Sequence, residues 1–206
     1  KKKEYLNFIN KNLNKKIKFD YIIKKDSSTI IKKRFYDLRD RKKLFGSYLV
    51  NDTALDEASE KILLKKIIKA KSNKDAIIVA DFGHGLLSLK TARFISKQKN
   101  FFGLNAQVNS STVGYNNISK YLKPKCVVIN ATELRQELKE RDGDLNILAR
   151  KLKKIIKAKY LVVTMGRSGA IMLDENDKTI LCPAFATDIV DKIGAGDTLF
   201  AYLNLF

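Results

Sequence analysis

One short segment of this chain combines residue types that can transfer a phosphoryl group. It reads Asp-Lys-Ile-Gly-Ala-Gly-Asp-Thr over residues 191–198, and the apolar residues that follow are typical of a helix. We expect Gly196 and Asp197 to open that helix. The N–H groups of Gly194, Ala195 and Gly196 are then unpaired at the positive end of the helix dipole, where they can hold phosphate charge. Asp197 beside them can take a proton from a hydroxyl, although a glycine-rich turn with an aspartate cap is the alternative.

Two other polar motifs follow strand-like runs. Asn130 and Glu133 stand three positions apart at a predicted helix start. An amide and a carboxylate so placed can face one ligand, and Mg²⁺ prefers such oxygen ligands while keeping several waters. The alternative is a helix cap in which Asn130 accepts from the first-turn N–H groups. Thr164, Gly166 and Gly169 follow another buried run, and taken alone their Gly-x-x-Gly turn is only a tight strand connection.

Short buried-type strands alternate with helices through most of the chain and must position these residues. The strands are predicted at 76–80, 102–104, 126–129 and 160–164, the helices at 55–70 and 145–158, and a hairpin at 169–173 and 179–181. Such alternation implies βαβ units, a parallel sheet and helices that cover it. Functional groups are then expected at the carboxyl ends of the strands.

The first fifty residues have a different pattern. A helix is predicted at 4–13, and strands rich in Ile, Phe and Tyr with interleaved charges are predicted at 19–23, 28–36 and 44–50. Half-exposed strands of this kind are typical of a small sheet that projects from a domain.

Composition favours one globular α/β domain and narrows the function classes. The chain has 206 residues, 45% of them hydrophobic, and a formal net charge of +19. A charge this high is also typical of nucleic-acid binding, but the lysines are spread over nearly every segment. We therefore predict a solvated basic surface and no nucleic-acid partner, with a polyanion-binding protein as the alternative.

Cysteine usage and hydropathy indicate a cytoplasmic protein. Cys126 and Cys182 belong to no CxxC or Cys/His pair, so neither a disulfide framework nor a zinc site is indicated. No apolar run approaches the roughly 20 residues that cross a bilayer. Polar residues follow the three initial lysines, so we expect no signal peptide and no membrane partner.

The segment at residues 191–197 resembles the second signature of the PfkB family of carbohydrate kinases, Asp-Thr-x-Gly-Ala-Gly-Asp, in six of seven elements. The resemblance implies a ribokinase-like three-layer α/β sandwich, with a mostly parallel central sheet and a small β-sheet lid. It also implies that Asp197 is the catalytic base and that Gly194, Ala195 and Gly196 form the anion hole. Lys192 departs from the usual Thr or small residue. We expect a tolerated surface lysine there, with contact to an ATP phosphate as the alternative.

Further motifs in the family's order imply ATP and Mg²⁺ as cofactors. The segment from Asn130 to Glu133 is similar to an Asn-x-x-Glu motif that tunes magnesium and phosphate binding, often through water. The resemblance therefore makes Glu133 a water-mediated magnesium ligand. It places Thr164, Gly166 and Gly169 along the ATP.

The substrate side resembles the heptose-phosphate kinase branch, which forms the N-terminal half of bifunctional ADP-heptose synthases. Residues 81–85 read Asp-Phe-Gly-His-Gly, and residues 29–34 look like that branch's lid. The resemblance implies that Asp81 orients a sugar hydroxyl, that His84 contacts a phosphate and that Arg34 meets an anionic substrate. It also allows two copies to pair through the lid. The alternatives are a structural histidine and an exposed strand charge.

Taken together, residues 1–206 are predicted to be part of a carbohydrate kinase domain, with lid strands within about 19–50 and an α/β core with the ATP site at 55–206. The polar run at 105–117 should line the same cleft. The best substrate prediction is D-glycero-D-manno-heptose 7-phosphate, phosphorylated at its anomeric hydroxyl. The alternatives are another PfkB sugar kinase, similar to ribokinase or fructokinase, and a non-catalytic module that binds nucleotide or sugar phosphate.

Overall fold

A computed structural model of the chain describes residues 2–39, 42–107, 116–186 and 194–205. The helices are α1 (Lys2–Asn12), α2 (Glu57–Lys71), α3 (Leu89–Ser96), α4 (Ala131–Leu138), α5 (Leu145–Ile156) and α6 (Ala195–Leu203). The strands are β1 (Ile31–Tyr36), β2 (Lys43–Leu49), β3 (Ala76–Asp81), β4 (Phe101–Ala106), β5 (Cys126–Asn130), β6 (Tyr160–Thr164), β7 (Ala170–Leu173) and β8 (Thr179–Cys182). Within these ranges, no helix has both the length and the apolar character that a membrane crossing requires.

Six strands form one sheet in the order β3-β4-β5-β6-β7-β8. The first four are parallel, and β7 and β8 form an antiparallel hairpin at one side. The predicted mostly parallel α/β fold is therefore confirmed. Because the parallel strands all point the same way, their last residues share one border of the sheet, which we call the carboxyl edge. It comprises Asp81, Ala106, Asn130 and Thr164.

Helices cover both faces of this sheet. On one face Leu104 and Val127 belong to the main core, together with apolar residues of α3, α4 and α5. On the other face Val128 and Val162 pack with Phe200 of α6. Successive side chains of a strand point to opposite faces, so strands covered on both sides are apolar almost throughout. This burial explains the short continuous apolar runs in the sequence.

Side-chain caps define where the helices begin. Asp56 accepts from the backbone of α2 at 2.8 Å, Asp144 accepts from that of α5 at 2.9 Å, and Ser88 accepts from that of α3 at 3.1 Å. The α2 residue Glu60 accepts from the hydroxyls of Ser88 and Thr91, and these hydrogen bonds hold the Glu60 pKa below its ordinary value. The same contacts tie α2 to the start of α3.

Strands β1 and β2 form a separate antiparallel sheet, which we call the lid sheet. Its register pairs Ile31 with Leu49, and a bulge occurs between Phe35 and Tyr36. The rings of Phe35 and Phe45 stack at 4.4 Å. Most lid positions are exposed, as the interleaved charges predicted.

The strand predicted at residues 19–23 is wrong. Residues 19–30 contain no strand, and the rings of Phe19 and Tyr21 stack on each other at 5.6 Å. Alternating aromatic and charged residues satisfy the period of a strand, but a strand also needs a neighbour to pair its backbone. Instead, the aromatic side chains of this segment line a cavity.

Candidate active site

The carboxyl edge brings together predicted residues from distant parts of the chain. Asn130 and Thr164 are direct partners in the register of β5 and β6, so the two motifs predicted to serve the nucleotide begin side by side. Asp81 ends β3, two strands away from Asn130 in the sheet order. The predicted nucleotide and substrate residues therefore lie along one border of one sheet, where open α/β sheets bind their ligands.

The packing of α6 places Asp197 at the same edge. Near the helix end, Asn204 lies so close to Gly103 that a Cβ on Gly103 would be 1.9 Å from its Oδ1. Phe200, one turn earlier, packs with Val128, which is two register steps nearer the carboxyl edge than Gly103. The helix thus runs antiparallel to the strands. Its first turn, with Asp197, extends toward the carboxyl edge.

Helix α6 starts one residue earlier than predicted. The helix begins at Ala195, two residues before Asp197, and Gly194 precedes it at φ +80°. Thr198 N–H donates to the Gly194 carbonyl at 2.9 Å, which is the first intrahelical bond. The N–H groups of Gly194, Ala195, Gly196 and Asp197 therefore all precede that bond, as helix-start N–H groups do.

The glycines at this helix start leave space for a ligand. A Cβ built on Gly194 or on Gly196 would meet no atom of the described chain within 4 Å. The backbone at position 194 has a positive φ, which L-residues rarely adopt, so this position favours glycine. The positive φ of Gly194 and the open space above both glycines fit an anion held against the helix start, while Asp197 is exposed beside it.

The Asn130–Glu133 motif forms a capping box at the start of α4. Asn130 Oδ1 accepts from Glu133 N–H at 2.8 Å, and Glu133 Oε2 accepts from Asn130 N–H at 3.1 Å. The helix-cap alternative is thus realised in the structure. In the described ranges, no group of three or more His, Cys, Asp or Glu residues could hold a metal. Asn130 and Glu133 offer few oxygen ligands, so they fit only an ion that keeps most of its waters, as Mg²⁺ does.

The two glycines after β6 have different environments. The turn is closed by Met165 N–H donating to Gly169 O at 2.8 Å and by Gly169 N–H donating to Gly166 O at 3.1 Å. A Cβ on Gly169 would lie 2.1 Å from the carbonyl oxygen of Cys182, so packing against β8 excludes any larger residue there. Gly166 has φ +60°, and a Cβ built on it would meet no atom of the described residues within 4 Å. Of the two, only Gly166 leaves room for a ligand.

Asp81 is buried within a network of protein partners. Its Oδ1 accepts from Gly83 N–H at 3.0 Å, and its Oδ2 accepts from Tyr121 Oη at 2.8 Å. The ammonium of Lys120 lies 2.6 Å from Oδ2 and also donates to the carbonyl of Leu87. Burial, and then the neighbouring Asp81 carboxylate, raise the pKa of Tyr121 well above its ordinary value. The contact of Asp81 with a sugar hydroxyl stays a prediction, and three protein donors already use this carboxylate.

His84 is held by a partner that sequence patterns did not indicate. Its Nδ1 lies 2.7 Å from Asp52 Oδ1, and its Nε2 is buried without a partner among the described residues. The ring borders a cavity of about 450 Å³ between α1, residues 19–30 and the end of β3. Asp81 borders the same cavity.

Some predicted features are not brought into this arrangement. Arg34 is exposed on β1 opposite Gly46, and it is not among the described residues that line the cavity. Its contact with an anionic substrate stays a prediction. Residues 191–193 of the signature, including Lys192, lie outside the described residues, as do residues 108–115 of the polar run.

The residues that hold Asp81 and His84 in place have no recognisable pattern in the sequence. Tyr121 is 40 positions from Asp81, and Asp52 is 32 positions from His84. No spacing rule connects residues so far apart. The one available signal was a Lys-Tyr pair at 120–121 at the end of an otherwise polar run.

Solved structures with the same fold define the class of this protein. Phosphofructokinase-2 from Escherichia coli in complex with potassium superposes with a TM-score of 0.67 at 16% identity, covering 84% of this chain and 55% of that chain. Ribokinase from Thermotoga maritima gives a TM-score of 0.57 at 14% identity, covering 82% and 52%. The chain therefore has a ribokinase-like α/β fold.

The sequence pattern of the pfkB family carbohydrate kinases matches residues 8–203, and the chain belongs to that family. Among curated relatives, bifunctional protein HldE of Helicobacter acinonychis is 31% identical over 150 residues, which is 70% of this chain and 31% of the relative. The HldE protein of Magnetococcus marinus is 26% identical over 141 residues, or 67% and 28%. The chain thus spans less than a third of the length of these relatives.

Proposed function

We propose that the protein transfers the γ-phosphoryl group of ATP to a hydroxyl of a sugar or sugar phosphate. One observation carries this proposal. The start of α6 extends toward the carboxyl edge, with exposed Asp197 in its first turn and open space above Gly194 and Gly196. Phosphoryl transfer needs positioned donors for the phosphoryl oxygens and an oriented nucleophile. A helix start that carries a carboxylate supplies both.

In this proposal Asp197 accepts the proton of the attacking sugar hydroxyl. The exposed carboxylate in the first turn of α6 has the position that a general base needs. The amides of Gly194, Ala195 and Gly196 donate to the phosphoryl oxygens as their charge develops. The sugar oxygen then forms the new bond to phosphorus as the bond to the ADP oxygen breaks.

The nucleotide side is assigned to the motifs next to α6. Thr164 and Gly166 border the nucleotide, and Gly169 closes the turn that supports them. Asn130 and Glu133 would hold hydrated Mg²⁺ through water, because this ion prefers amide and carboxylate oxygens while keeping several waters. When bound, that ion neutralises charge on the phosphates. Asn130 and Thr164 are direct partners in the register of β5 and β6, which supports placing both motifs on one ligand.

A heptose 7-phosphate, phosphorylated at its anomeric hydroxyl, is the acceptor that we propose first. The relatives at 26–31% identity are named bifunctional protein HldE, and the Asp-Phe-Gly-His-Gly segment at 81–85 resembles the heptose-phosphate kinase branch. Other sugar kinases of the family are the competing acceptor classes. The choice among them depends on the residues around the cavity beside β3.

The test is magnesium-dependent ADP release by the complete gene product against a panel of sugars and sugar phosphates. Asp197→Asn should lower turnover by roughly 10²- to 10⁴-fold, because it removes the base without changing the size of the side chain. Asp75→Asn, an exposed change at the opposite end of β3, serves as the matched control and should retain full turnover. If wild type binds ATP but releases no ADP with any acceptor, the kinase proposal fails and a non-catalytic binding module replaces it.

We also propose that two copies pair through the lid sheet. An isolated two-stranded sheet is at best marginally stable in water, and Phe45 and Leu49 on its apolar face are 57% and 54% exposed. A second lid sheet would cover that face. Light scattering should show a dimer that Phe45→Glu dissociates. Tyr48→Glu, on the opposite face of the same strand, should leave it intact, and a monomeric wild type would refute the pairing.

A further inference from the structure

His84 lines the cavity beside β3 and forms a polar pair with Asp52. Asp52 lies in the connection between β2 and α2, and His84 lies directly after β3. Their side chains are 23% and 12% exposed, and Asp52 Oδ1 lies 2.7 Å from His84 Nδ1. The connection is held close by the backbone, since Leu55 N–H donates to Gly85 O at 3.1 Å. A Cβ on Gly85 would lie 1.9 Å from Thr53 O, so glycine at this position allows the two segments to approach this closely.

The contact with Asp52 determines which ring nitrogen of His84 carries the hydrogen. A carboxylate is an acceptor only, so the Nδ1 of His84 must carry the hydrogen that Asp52 receives. In the neutral ring Nε2 is then a hydrogen-bond acceptor. That atom is buried and has no partner among the described residues. An unsatisfied buried polar atom costs stability, so an unpartnered Nε2 on a residue that lines a cavity points to a ligand that supplies the missing donor.

The rest of the cavity has the character of a ligand site. Its volume is about 450 Å³, and its walls carry the rings of Phe19, Tyr21 and Phe82. The hydroxyl residues Ser27, Ser28 and Thr29 also line it. Small-molecule sites are mostly apolar and aromatic, with a few polar groups that fix the orientation of the ligand. Aromatic rings and several hydroxyls in one cavity with His84 fit a polyhydroxyl ligand.

We propose that His84 Nε2 accepts a hydrogen bond from a hydroxyl of the acceptor sugar, and that Asp52 is the positioning residue that holds the ring for it. This inference rests on the proposed sugar kinase activity and identifies the group of the substrate that His84 binds. An acceptor atom suits a hydroxyl and not a phosphate, which has no hydrogen to donate when ionised. Nε2 has almost no exposed surface, so binding of the hydroxyl requires a local rearrangement of the atoms that cover it.

Nitrogen-15 NMR can read this site directly, because His84 is the only histidine among the 206 residues. In the complete gene product, the His84 signals are assigned by their loss in His84→Gln. The free protein should show a protonated Nδ1 and a bare Nε2. Addition of the turned-over sugar, without ATP, should move the Nε2 resonance while Nδ1 stays nearly unchanged.

A kinetic comparison separates positioning from a merely structural role. In Asp52→Asn the amide can donate to Nδ1, which shifts the ring hydrogen to Nε2 and converts the acceptor into a donor. The KM for the sugar should rise roughly tenfold, the worth of one good hydrogen bond, while the KM for ATP stays unchanged. Asp75→Asn is again the matched control and should change neither constant.

The outcomes distinguish this inference from the proposed kinase activity. If saturating sugar leaves the Nε2 resonance in place while ADP is released, the inference is overturned and the kinase proposal stands. If inorganic phosphate moves it and neutral sugars do not, the hydroxyl role is overturned in favour of a phosphate contact. If sugars move it but no ADP forms, the sugar site stands and the kinase proposal fails.

Discussion

At the scale of single residues, the carboxylates of Asp81 and Asp197 differ in what surrounds them. Asp81 is 4% exposed and is engaged by a backbone amide, a tyrosine hydroxyl and a lysine ammonium. Asp197 is exposed in the first turn of a helix. Removing a buried carboxylate with several donors leaves those donors unpaired and is destabilising, whereas an exposed carboxylate at a helix start remains available to a substrate. The two acids are therefore expected to respond differently to the same substitution.

Asp81→Asn should lower the free energy of unfolding by about 3 kcal/mol, because it leaves the Lys120 ammonium without its buried partner. Urea unfolding of the complete gene product measures this loss. Tyr121→Phe, which removes one hydrogen bond from the same carboxylate, should cost about 1–2 kcal/mol. Asp81→Asn unfolding at the same urea concentration as wild type would contradict the network.

At the scale of elements, the position of α6 depends on a glycine in the sheet. Gly103 of β4 has no side chain, which lets the Asn204 side chain at the end of α6 approach the strand closely. Asn204 Nδ2 donates to Phe200 O at 2.6 Å, so the close approach is built into the last turn of the helix. Because the same helix carries Asp197, this contact at its far end helps to set where the carboxylate lies.

Gly103→Ala should destabilise the protein, since the new Cβ would overlap Asn204 Oδ1 and force the end of α6 away from the sheet. We expect a loss of about 1–3 kcal/mol, which is typical of an overpacked core position. Asn204→Ala should recover at least about 0.5 kcal/mol of that loss in the double variant, because the two positions are in contact. Additive effects in urea unfolding would show that the two residues do not meet.

At the scale of the whole molecule, the charge of +19 is the most unusual property. Several lysines have local acidic partners: Lys61 with Glu57, Lys151 with Glu140, Lys153 with Asp177 and Lys159 with Glu175. The first pair lies on α2, and the second joins α5 to the connection after α4. The last two join α5, or the residue before β6, to the β7–β8 hairpin. Pairing at separate places fits a solvated basic surface better than a continuous track for a polyanion.

The complete gene product should therefore bind random duplex DNA only weakly. At about 150 mM salt we expect a Kd above roughly 10⁻⁴ M, the weak limit of non-specific DNA binding. Fluorescence anisotropy over a range of salt concentrations measures it. A Kd below a micromolar with a steep salt dependence would instead establish a polyanion-binding surface.

Local sequence patterns determined the elements and their type. The apolar runs at 76–80, 126–129 and 160–164 are strands, the helix predicted at 145–158 is α5, and the expected hairpin pairs β7 with β8. Each of these depends on residues within one element, where period and turn chemistry are sufficient. The 191–197 motif likewise identified the family from a few adjacent residues, and the family match confirms it.

Only the tertiary structure decided which side chains meet. The strand order brings Tyr121 to Asp81, and the connection after β2 brings Asp52 to His84, although each pair is separated by more than 30 positions. It also showed that residues 19–23 find no strand to pair with, and that α6 begins at Ala195. Such contacts depend on how elements pack, and no pattern within a single element contains that information.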